Sequence, residues 1–168
     1  MKKATLLSVL IAFLTVSLPI GAVNEYAVWV PVFMKRADLE QSIKYVGESR
    51  PLKNPGKIYC KDHYIYVNEL YKGVHVINNS NPSYPVNEGF IVIPGCVDMA
   101  VKENSLYVDN AVDLVAFDLT TKQVTQRIKD VLPEPPAPGY SEYYPVYNLP
   151  KDMVLVGWKK KNEEEVKQ

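Results

Sequence analysis

The chain has 168 residues, of which 19 are basic and 19 acidic, so its formal net charge is zero. This length suits a single hydrophobic core of ordinary size. A surface without excess positive charge does not attract nucleic acid or anionic lipid, so the composition argues against nucleic-acid binding.

The first 22 residues have the pattern of a secretory signal. Met1 is followed by two lysines, residues 4–23 are mostly apolar, and Gly21 and Ala22 place small residues at the end of the run. We expect cleavage after Ala22, which leaves 168 − 22 = 146 residues with 19 − 2 = 17 basic and 19 acidic side chains. The mature protein is then expected in the periplasm, at the cell surface or secreted, without stable membrane insertion. A retained membrane anchor is the alternative, because an apolar run of about 20 residues can span a bilayer.

Residues 23–54 form a lead-in to the regular part of the chain. Within it, residues 34–43 place Leu39 and Ile43 four positions apart with polar residues between them. This spacing predicts one or two helical turns.

A self-similarity of roughly 40 residues dominates the middle of the chain, a period typical of propellers and solenoids. Residues 58–68 match residues 99–109 at an offset of 41, and residues 73–78 match residues 113–118 at an offset of 40. Each copy divides into four runs of β-branched and aromatic residues separated by turn residues, which predicts four strands. The predicted strands are residues 57–60, 64–69, 73–77 and 88–93, and then 97–101, 105–109, 114–118 and 124–128.

Four antiparallel strands in about 40 residues are the unit of a β-propeller blade. We therefore predict an all-β fold with two four-stranded antiparallel blades, residues 55–93 and 94–131, in a partial, unclosed propeller with irregular flanks. Tight hairpin turns are expected at Lys61-Asp62-His63 and Lys102-Glu103-Asn104.

The repeat resembles a known family. Residues 64–67 read Tyr-Ile-Tyr-Val, residues 73–85 read Gly-Val-His-Val-Ile-Asn-Asn-Ser-Asn-Pro-Ser-Tyr-Pro, and residues 105–109 read Ser-Leu-Tyr-Val-Asp. These segments resemble the LVIVD repeat of exported bacterial and archaeal propeller-like proteins. Asn78 stands where that repeat prefers Asp, and the second copy lacks the Ser-Asn-Pro link. The resemblance implies a cell-envelope location and a propeller-like fold, and it implies no reaction.

Two segments follow the repeats. Residues 132–139 contain four prolines and are interpreted as a stiff linker, with a ligand for a proline-recognition domain as the alternative. Residues 140–168 contain a predicted apolar strand at 153–158 and a charged tail. They also contain four tyrosines, which either form a recognition surface or cap the second blade: Tyr140, Tyr143, Tyr144 and Tyr147.

Two blades cannot close a propeller, which needs about four or more. The flanks cap the ends, copies associate, or the chain is the front part of a longer protein, and the last is favoured here. The second blade is expected to present an apolar face that no third blade covers. We predict that residues 143–158 fold back over that face.

The two cysteines are expected to remain apart. Cys60 aligns with Val101, five positions beyond Cys96, so the two sulfurs are offset by ~16 Å at ~3.3 Å per residue. A disulfide needs Cα atoms closer than about 7 Å. We predict two separate, mostly buried thiols.

Acidic residues cluster in the second copy, and two interpretations stay open for them. Carboxylates of the 109–113 loop could ligate Ca²⁺, but the spacing is not that of an EF-hand, and Asp and Asn are ordinary turn residues. No metal site is therefore assigned. The cluster consists of Asp98, Asp109, Asn110, Asp113 and Asp118.

We expect the histidines to be solvated or hydrogen-bonded, and the strand tyrosines to be packing residues. His63 lies on a predicted turn and His75 in a predicted strand, and neither has zinc-site spacing or a Gly-x-Ser-x-Gly elbow nearby. Tyr64, Tyr66 and Tyr107 are expected to pack in the core or between blades.

We therefore expect a non-catalytic interaction or scaffold module of the cell envelope, with a protein or glycan partner and no cofactor, since repeats supply surface and no catalytic group stands out. The alternative is a propeller-type enzyme or binding protein acting on envelope glycans. Its acid–base residues would come from Asp98, Asp109 or Asp113.

Overall fold

The computed structural model describes residues 29–139 and 151–161. The predicted signal at residues 1–22 and the four tyrosines between residues 140 and 147 lie outside these ranges. Strands account for 54% of the described residues and helix for 4%, the sheets are antiparallel and none of them is closed. The all-β prediction is confirmed.

Eleven strands and one short helix make up the described part of the chain. In chain order they are β1 (Trp29–Lys35), α1 (Arg36–Glu40), β2 (Lys44–Val46), β3 (Pro55–Lys61), β4 (Tyr64–Glu69), β5 (Gly73–Asn78), β6 (Val86–Val92), β7 (Met99–Lys102), β8 (Ser105–Asn110), β9 (Asp113–Asp118), β10 (Gln123–Ile128) and β11 (Met153–Lys160).

These strands form three sheets. The first sheet has the order β2-β6-β5-β4-β3, the second sheet has the order β10-β9-β8-β7, and β1 pairs with β11 in a two-stranded ribbon. The first sheet therefore has five strands where the repeat predicted four. The extra strand β2 belongs to the lead-in and pairs along β6, so it covers what would otherwise be an unpaired sheet edge.

The predicted hairpin turns are confirmed. Lys61 pairs with Tyr64 and Lys102 pairs with Ser105, so each hairpin has a two-residue loop. The first loop residues, Asp62 and Glu103, both have φ of 53°, the left-handed conformation that such tight loops require.

Residues at the predicted offsets have equivalent partners in the two sheets. In the first sheet Tyr66 lies between Tyr59 and Val76, and in the second sheet Tyr107 lies between Ala100 and Ala116. Each residue of the second trio follows its counterpart by 40 or 41 positions. Tyr66 and Tyr107 therefore occupy equivalent positions of equivalent strands.

The main core lies between the first and second sheets. Because side chains alternate along a strand, every second residue of each sheet faces the other sheet. The first sheet contributes residues such as Tyr66, Val74 and Ile91, and the second contributes residues such as Leu106 and Phe117, all at most 5% exposed. The two sheets are thus packed face to face.

The ribbon corrects the expected position of residues 153–158. Val154 and Val156 of β11 pack with Leu39 of α1 and with Ala111, in the turn between β8 and β9. Strand β11 pairs along its length with β1, more than 100 residues earlier in the chain. It therefore packs across the turns and does not cover the outer face of the second sheet.

The proline-rich segment is packed against the ribbon. The Trp158 Nε1–H donates a hydrogen bond of 2.9 Å to the Pro135 carbonyl, and the Tyr71 hydroxyl donates to the Pro136 carbonyl. Ala137 is 3% exposed and packs with Leu155 and Trp158. Residues 135–137 therefore join the ribbon to the turn between β4 and β5.

The cysteines are free, as predicted, but only one of them is buried. Cys96 is fully buried, and burial raises the pKa of its thiol far above the ordinary range. Cys60 is exposed, which corrects the expectation of two mostly buried thiols. Its position on β3 alternates with Tyr59, the residue that packs against the core.

The packing predicts opposite effects for two neighbouring residues of β8. Leu106 is fully buried between the sheets, whereas Tyr107 is 39% exposed on the other side of the same strand. We expect Leu106→Ala to lower the free energy of unfolding by about 2–5 kcal/mol and Tyr107→Ala by less than about 1 kcal/mol. Urea unfolding of both variants and the parent measures this, and equal losses would contradict the assigned faces.

Candidate functional site

The outer face of the second sheet is uncovered among the described residues. The residues that alternate with the core positions of β7, β8, β9 and β10 point away from the first sheet. Tyr107 is 39% exposed and Ile128 is 53% exposed. We call this surface the open face, and its members are Ala100, Lys102, Tyr107, Leu114, Gln126 and Ile128.

The open face is the repeat equivalent of a surface that is buried elsewhere in the same chain. Tyr107 corresponds to Tyr66, which is 5% exposed, and Leu114 corresponds to Val74, which is fully buried. In the first sheet these positions are covered by the second sheet. The expectation that Tyr107 packs in the core or between blades is therefore wrong, because no third sheet among the described residues covers it.

The chain leaves both sheets in the same way. After β6, the Gly95 N–H donates a hydrogen bond of 3.0 Å to the Tyr71 carbonyl, in the turn between β4 and β5. After β10, the Leu132 N–H donates one of 2.9 Å to the Val112 carbonyl, in the turn between β8 and β9. Tyr71 and Val112 are 41 residues apart, so the exit from the second sheet repeats the exit that leads into it.

Two of the three candidate acids come together at one end of the open face. The Asp98 N–H donates a hydrogen bond of 2.9 Å to the Asp109 carboxylate, and the Lys57 ammonium pairs with the Asp98 carboxylate. Burial raises the pKa of Asp109 to about 6, and the neighbouring Asp98 charge adds to this rise. The pKa of Asp98 is lowered, chiefly by its hydrogen bond from Lys57. The two carboxyls therefore have pKa values on opposite sides of the ordinary one.

Asp113 lies apart from this pair and has a structural role. Its carboxylate has no exposed surface and accepts from Arg36 at 2.9 Å and from Arg127 at 2.7 Å. Although burial raises the pKa of Asp113, the two guanidinium groups and the Asp130 N–H outweigh it and lower the pKa overall. This network attaches α1 to the second sheet.

The proposed calcium ligands do not converge. Asp113 is bound by two arginines, whereas Asp109 lies on the open side of β8. Asp118 accepts the N–H groups of Thr120 and Thr121, so it stabilises the turn between β9 and β10. No group of three metal-ligating side chains is found among residues 29–139 and 151–161.

His75 is part of a buried hydrogen-bond chain. Its Nε2 lies 3.3 Å from the Glu69 carboxylate and its Nδ1 lies 3.4 Å from the Asn87 amide nitrogen. Asn87 also donates to the Arg50 carbonyl at 3.1 Å, which orients its amide so that the His75 Nδ1 accepts and the Nε2–H donates to Glu69. Both ring nitrogens are thus engaged, and the histidine is hydrogen-bonded as expected.

Glu69 anchors the lead-in to the outer side of the first sheet. Its carboxylate accepts the backbone N–H of Lys53 at 3.0 Å and of Asn54 at 2.8 Å. Burial raises the pKa of Glu69, but these two donors and His75 outweigh burial and lower it overall.

The equivalent residue in the second copy is Asn110, whose amide donates to the Pro94 carbonyl at 2.7 Å. The same position therefore holds the incoming segment in both copies.

Sequence reasoning did not identify Lys57, the lysine that pairs with Asp98. It precedes Asp98 by 41 residues, so the pair occupies equivalent positions in successive repeats. Opposite charges at one repeat position were the available signal, since equivalent positions of adjacent repeats lie side by side.

No family model, no curated protein and no solved structure matches the chain. In the described ranges there is no helix with the length and apolar character needed to cross a membrane.

The raised pKa of Asp109 predicts a pH dependence of stability. A carboxyl whose pKa is about 6 in the folded chain and 3.8 as its ordinary value keeps its proton longer when folded. The free energy of unfolding contributed by Asp109 therefore falls as the pH rises from about 4 to about 6 and is constant above that.

Urea unfolding at several pH values tests this with two variants. Asp109→Asn should remove the loss of stability between pH 4 and 6. The free energy of unfolding of the variant should therefore rise relative to that of the parent across that range. Asp118→Asn is the matched control, because the pKa of Asp118 is lowered by hydrogen bonds and its effect falls below this range. A parent-to-Asp109→Asn difference that does not change with pH would contradict the assignment.

Proposed function

We propose that the protein is a non-catalytic, propeller-type interaction or scaffold module of the cell envelope, built from LVIVD-like repeats. The observation that carries the proposal is the open face, on which Tyr107 and Leu114 occupy the positions equivalent to Tyr66 and Val74, two residues that the same chain buries in its core. Because this face carries exposed apolar side chains such as Tyr107 and Ile128, another protein surface can pack against it.

The composition of the open face favours a protein partner. Tyr107 and Ile128 supply large exposed apolar area, and aromatic side chains are enriched at the centres of protein interfaces. Lys102 and the acid pair Asp98 and Asp109 lie at the margins of this face, where a polar rim is usual. The proposed location of the protein outside the cytoplasm rests on the signal pattern of residues 1–22.

Site-specific photo-crosslinking in the native host tests this function. Cells are first fractionated, and the mature protein is expected outside the cytoplasm with its N-terminus near residue 23. A photo-reactive amino acid at position 107 or 128 should then form one discrete set of crosslinked species. Position 84 is the control, because Tyr84 is 77% exposed and lies in the loop between β5 and β6, far along the chain from the open face.

Crosslinks of equal yield at positions 84 and 107, or a protein that fractionates with the cytoplasm with Met1 intact, would contradict the proposal. Introduction of a negative charge by Tyr107→Glu should abolish the crosslink formed at position 128 while the far-ultraviolet circular dichroism spectrum stays unchanged.

A second function, hydrolysis of envelope glycans, is favoured by one observation. Asp109 has a pKa of about 6 next to Asp98, whose pKa is lowered, and a protonated and an ionised carboxyl are the pair that glycosidases use. If this function holds, purified envelope glycan incubated with the protein should release new reducing ends, and Asp109→Asn should abolish the release. Asp118→Asn should have no effect on it. Absence of release by the parent protein between pH 4 and 7 would exclude this second function.

A further inference from the structure

A cleft of about 380 Å³ opens between the first and second sheets, at the end where their equivalent hairpins lie. The β3–β4 turn forms one wall and the β7–β8 turn forms the other, and the β9–β10 turn contributes Leu119, Thr120 and Lys122. The volume lies in the range of small-molecule sites. The cleft is on the opposite side of the second sheet from the open face.

Tyr66 lines this cleft, and its hydroxyl is accessible to a ligand there. The residue belongs both to the core between the sheets and to the lining of the cleft, and it is 5% exposed. Its hydroxyl forms no hydrogen bond with any residue of the described ranges. Burial raises the pKa of Tyr66 to about 12, and the neighbouring Tyr64, Asp62 and Glu88 add to the rise. The hydroxyl therefore stays protonated at neutral pH, and it can donate a hydrogen bond to a ligand in the cleft.

The charged side chains of the lining are largely engaged with one another or with the protein. Lys61 pairs with Asp62 at 3.0 Å, and the Lys122 ammonium lies 4.6 Å from the centre of the Tyr45 ring. Glu88 accepts a hydrogen bond of 2.8 Å from the Asn78 amide. With two lysines and three carboxylates the lining has no strong excess of either sign. A charged ligand would gain little here.

The uncharged polar groups are arranged for a ligand that both donates and accepts. The Asn104 amide donates to the Thr120 hydroxyl at 2.6 Å, which leaves the Thr120 proton for another acceptor. The rings of Tyr64 and Tyr66 lie side by side, with centroids 6.1 Å apart and planes inclined by 32°. A purely apolar ligand would leave these hydrogen-bonding groups unpaired.

We propose that this cleft binds a neutral sugar ring, with the Tyr66 hydroxyl as its central hydrogen bond. A sugar ring combines adjacent hydroxyls, which pair with Tyr66 and Thr120, with an apolar C–H face that packs on the tyrosine rings. The inference is independent of the interaction function proposed above, because the two surfaces lie on opposite sides of the second sheet.

Nuclear magnetic resonance titration of the full chain tests the site with named sugars. N-acetyl-D-glucosamine and D-glucose should each produce saturable shifts at the amides of Tyr64, Tyr66 and Thr120, and none at Tyr107. D-glucuronate, the charged counterpart, should bind more weakly than D-glucose. The N-acetylglucosamine trimer separates two sources of the ring, because tighter binding of the trimer indicates a glycan chain and equal binding indicates a free sugar.

Two matched tyrosine variants complete the test. Tyr66→Phe keeps the ring and its packing, and should weaken sugar binding about fivefold through the loss of one hydrogen bond. Tyr107→Phe, at the equivalent position on the open face, should bind as the parent does. The absence of saturable shifts at about 100 mM sugar, equal affinities of Tyr66→Phe and the parent, or tighter binding of glucuronate would overturn the proposal.

Discussion

The rest of the structure depends on one packed surface, the apolar layer between the first and second sheets. Val74, Ile91, Leu106 and Val115 are each fully buried in it. Burial of a large apolar side chain contributes about 1.5–3 kcal/mol, so a layer of this size outweighs any single hydrogen bond in the molecule. Each sheet buries one face in this layer, so whether its opposite face is covered depends on other contacts.

The two second faces are treated differently, and buried polar groups account for the difference. On the first sheet, Glu69 binds the backbone of Lys53 and Asn54 and thereby holds the lead-in near Phe90, whose ring lies 4.8 Å from the Arg50 guanidinium. On the second sheet, the equivalent Asn110 binds Pro94, but it does so on the side of β8 that carries the core residues, and no described segment is held over the outer face. The asymmetry between a covered first sheet and an open second sheet follows from what each sheet anchors, and it leaves the open face on the side of the second sheet away from the core.

The sequence allowed the local structure to be predicted well, because strand alternation and turn chemistry are local signals. The two hairpin loops at Asp62 and Glu103 and the register of Tyr66 with Tyr107 follow directly from the repeat. The exposure of Tyr107 did not follow from strand alternation at that residue, although the number of repeats predicted an uncovered face on the second sheet. Identical residues at equivalent positions differ in exposure when one has a neighbouring sheet and the other does not, and no local pattern encodes that.

The sequence pattern also did not predict the pairing of distant strands or the directions of the pKa shifts. The pairing of β1 with β11 joins segments more than 100 residues apart, and the apolar run at 153–158 is compatible with several partners. The raised pKa of Asp109 depends on burial and on Asp98, so a cluster of acids in the sequence did not distinguish it from Asp113, whose pKa is lowered by arginines.

The ribbon has a consequence for how the molecule bears a load. Trp29 pairs with Lys160 at one end of the ribbon, and Lys35 pairs with Met153 at the other. A force that pulls Trp29 and Lys160 apart therefore acts on the outermost residue pair first and separates the paired residues of β1 and β11 one pair at a time. Tension applied through these two strands would release the ribbon at low force before it reached the layer between the two sheets.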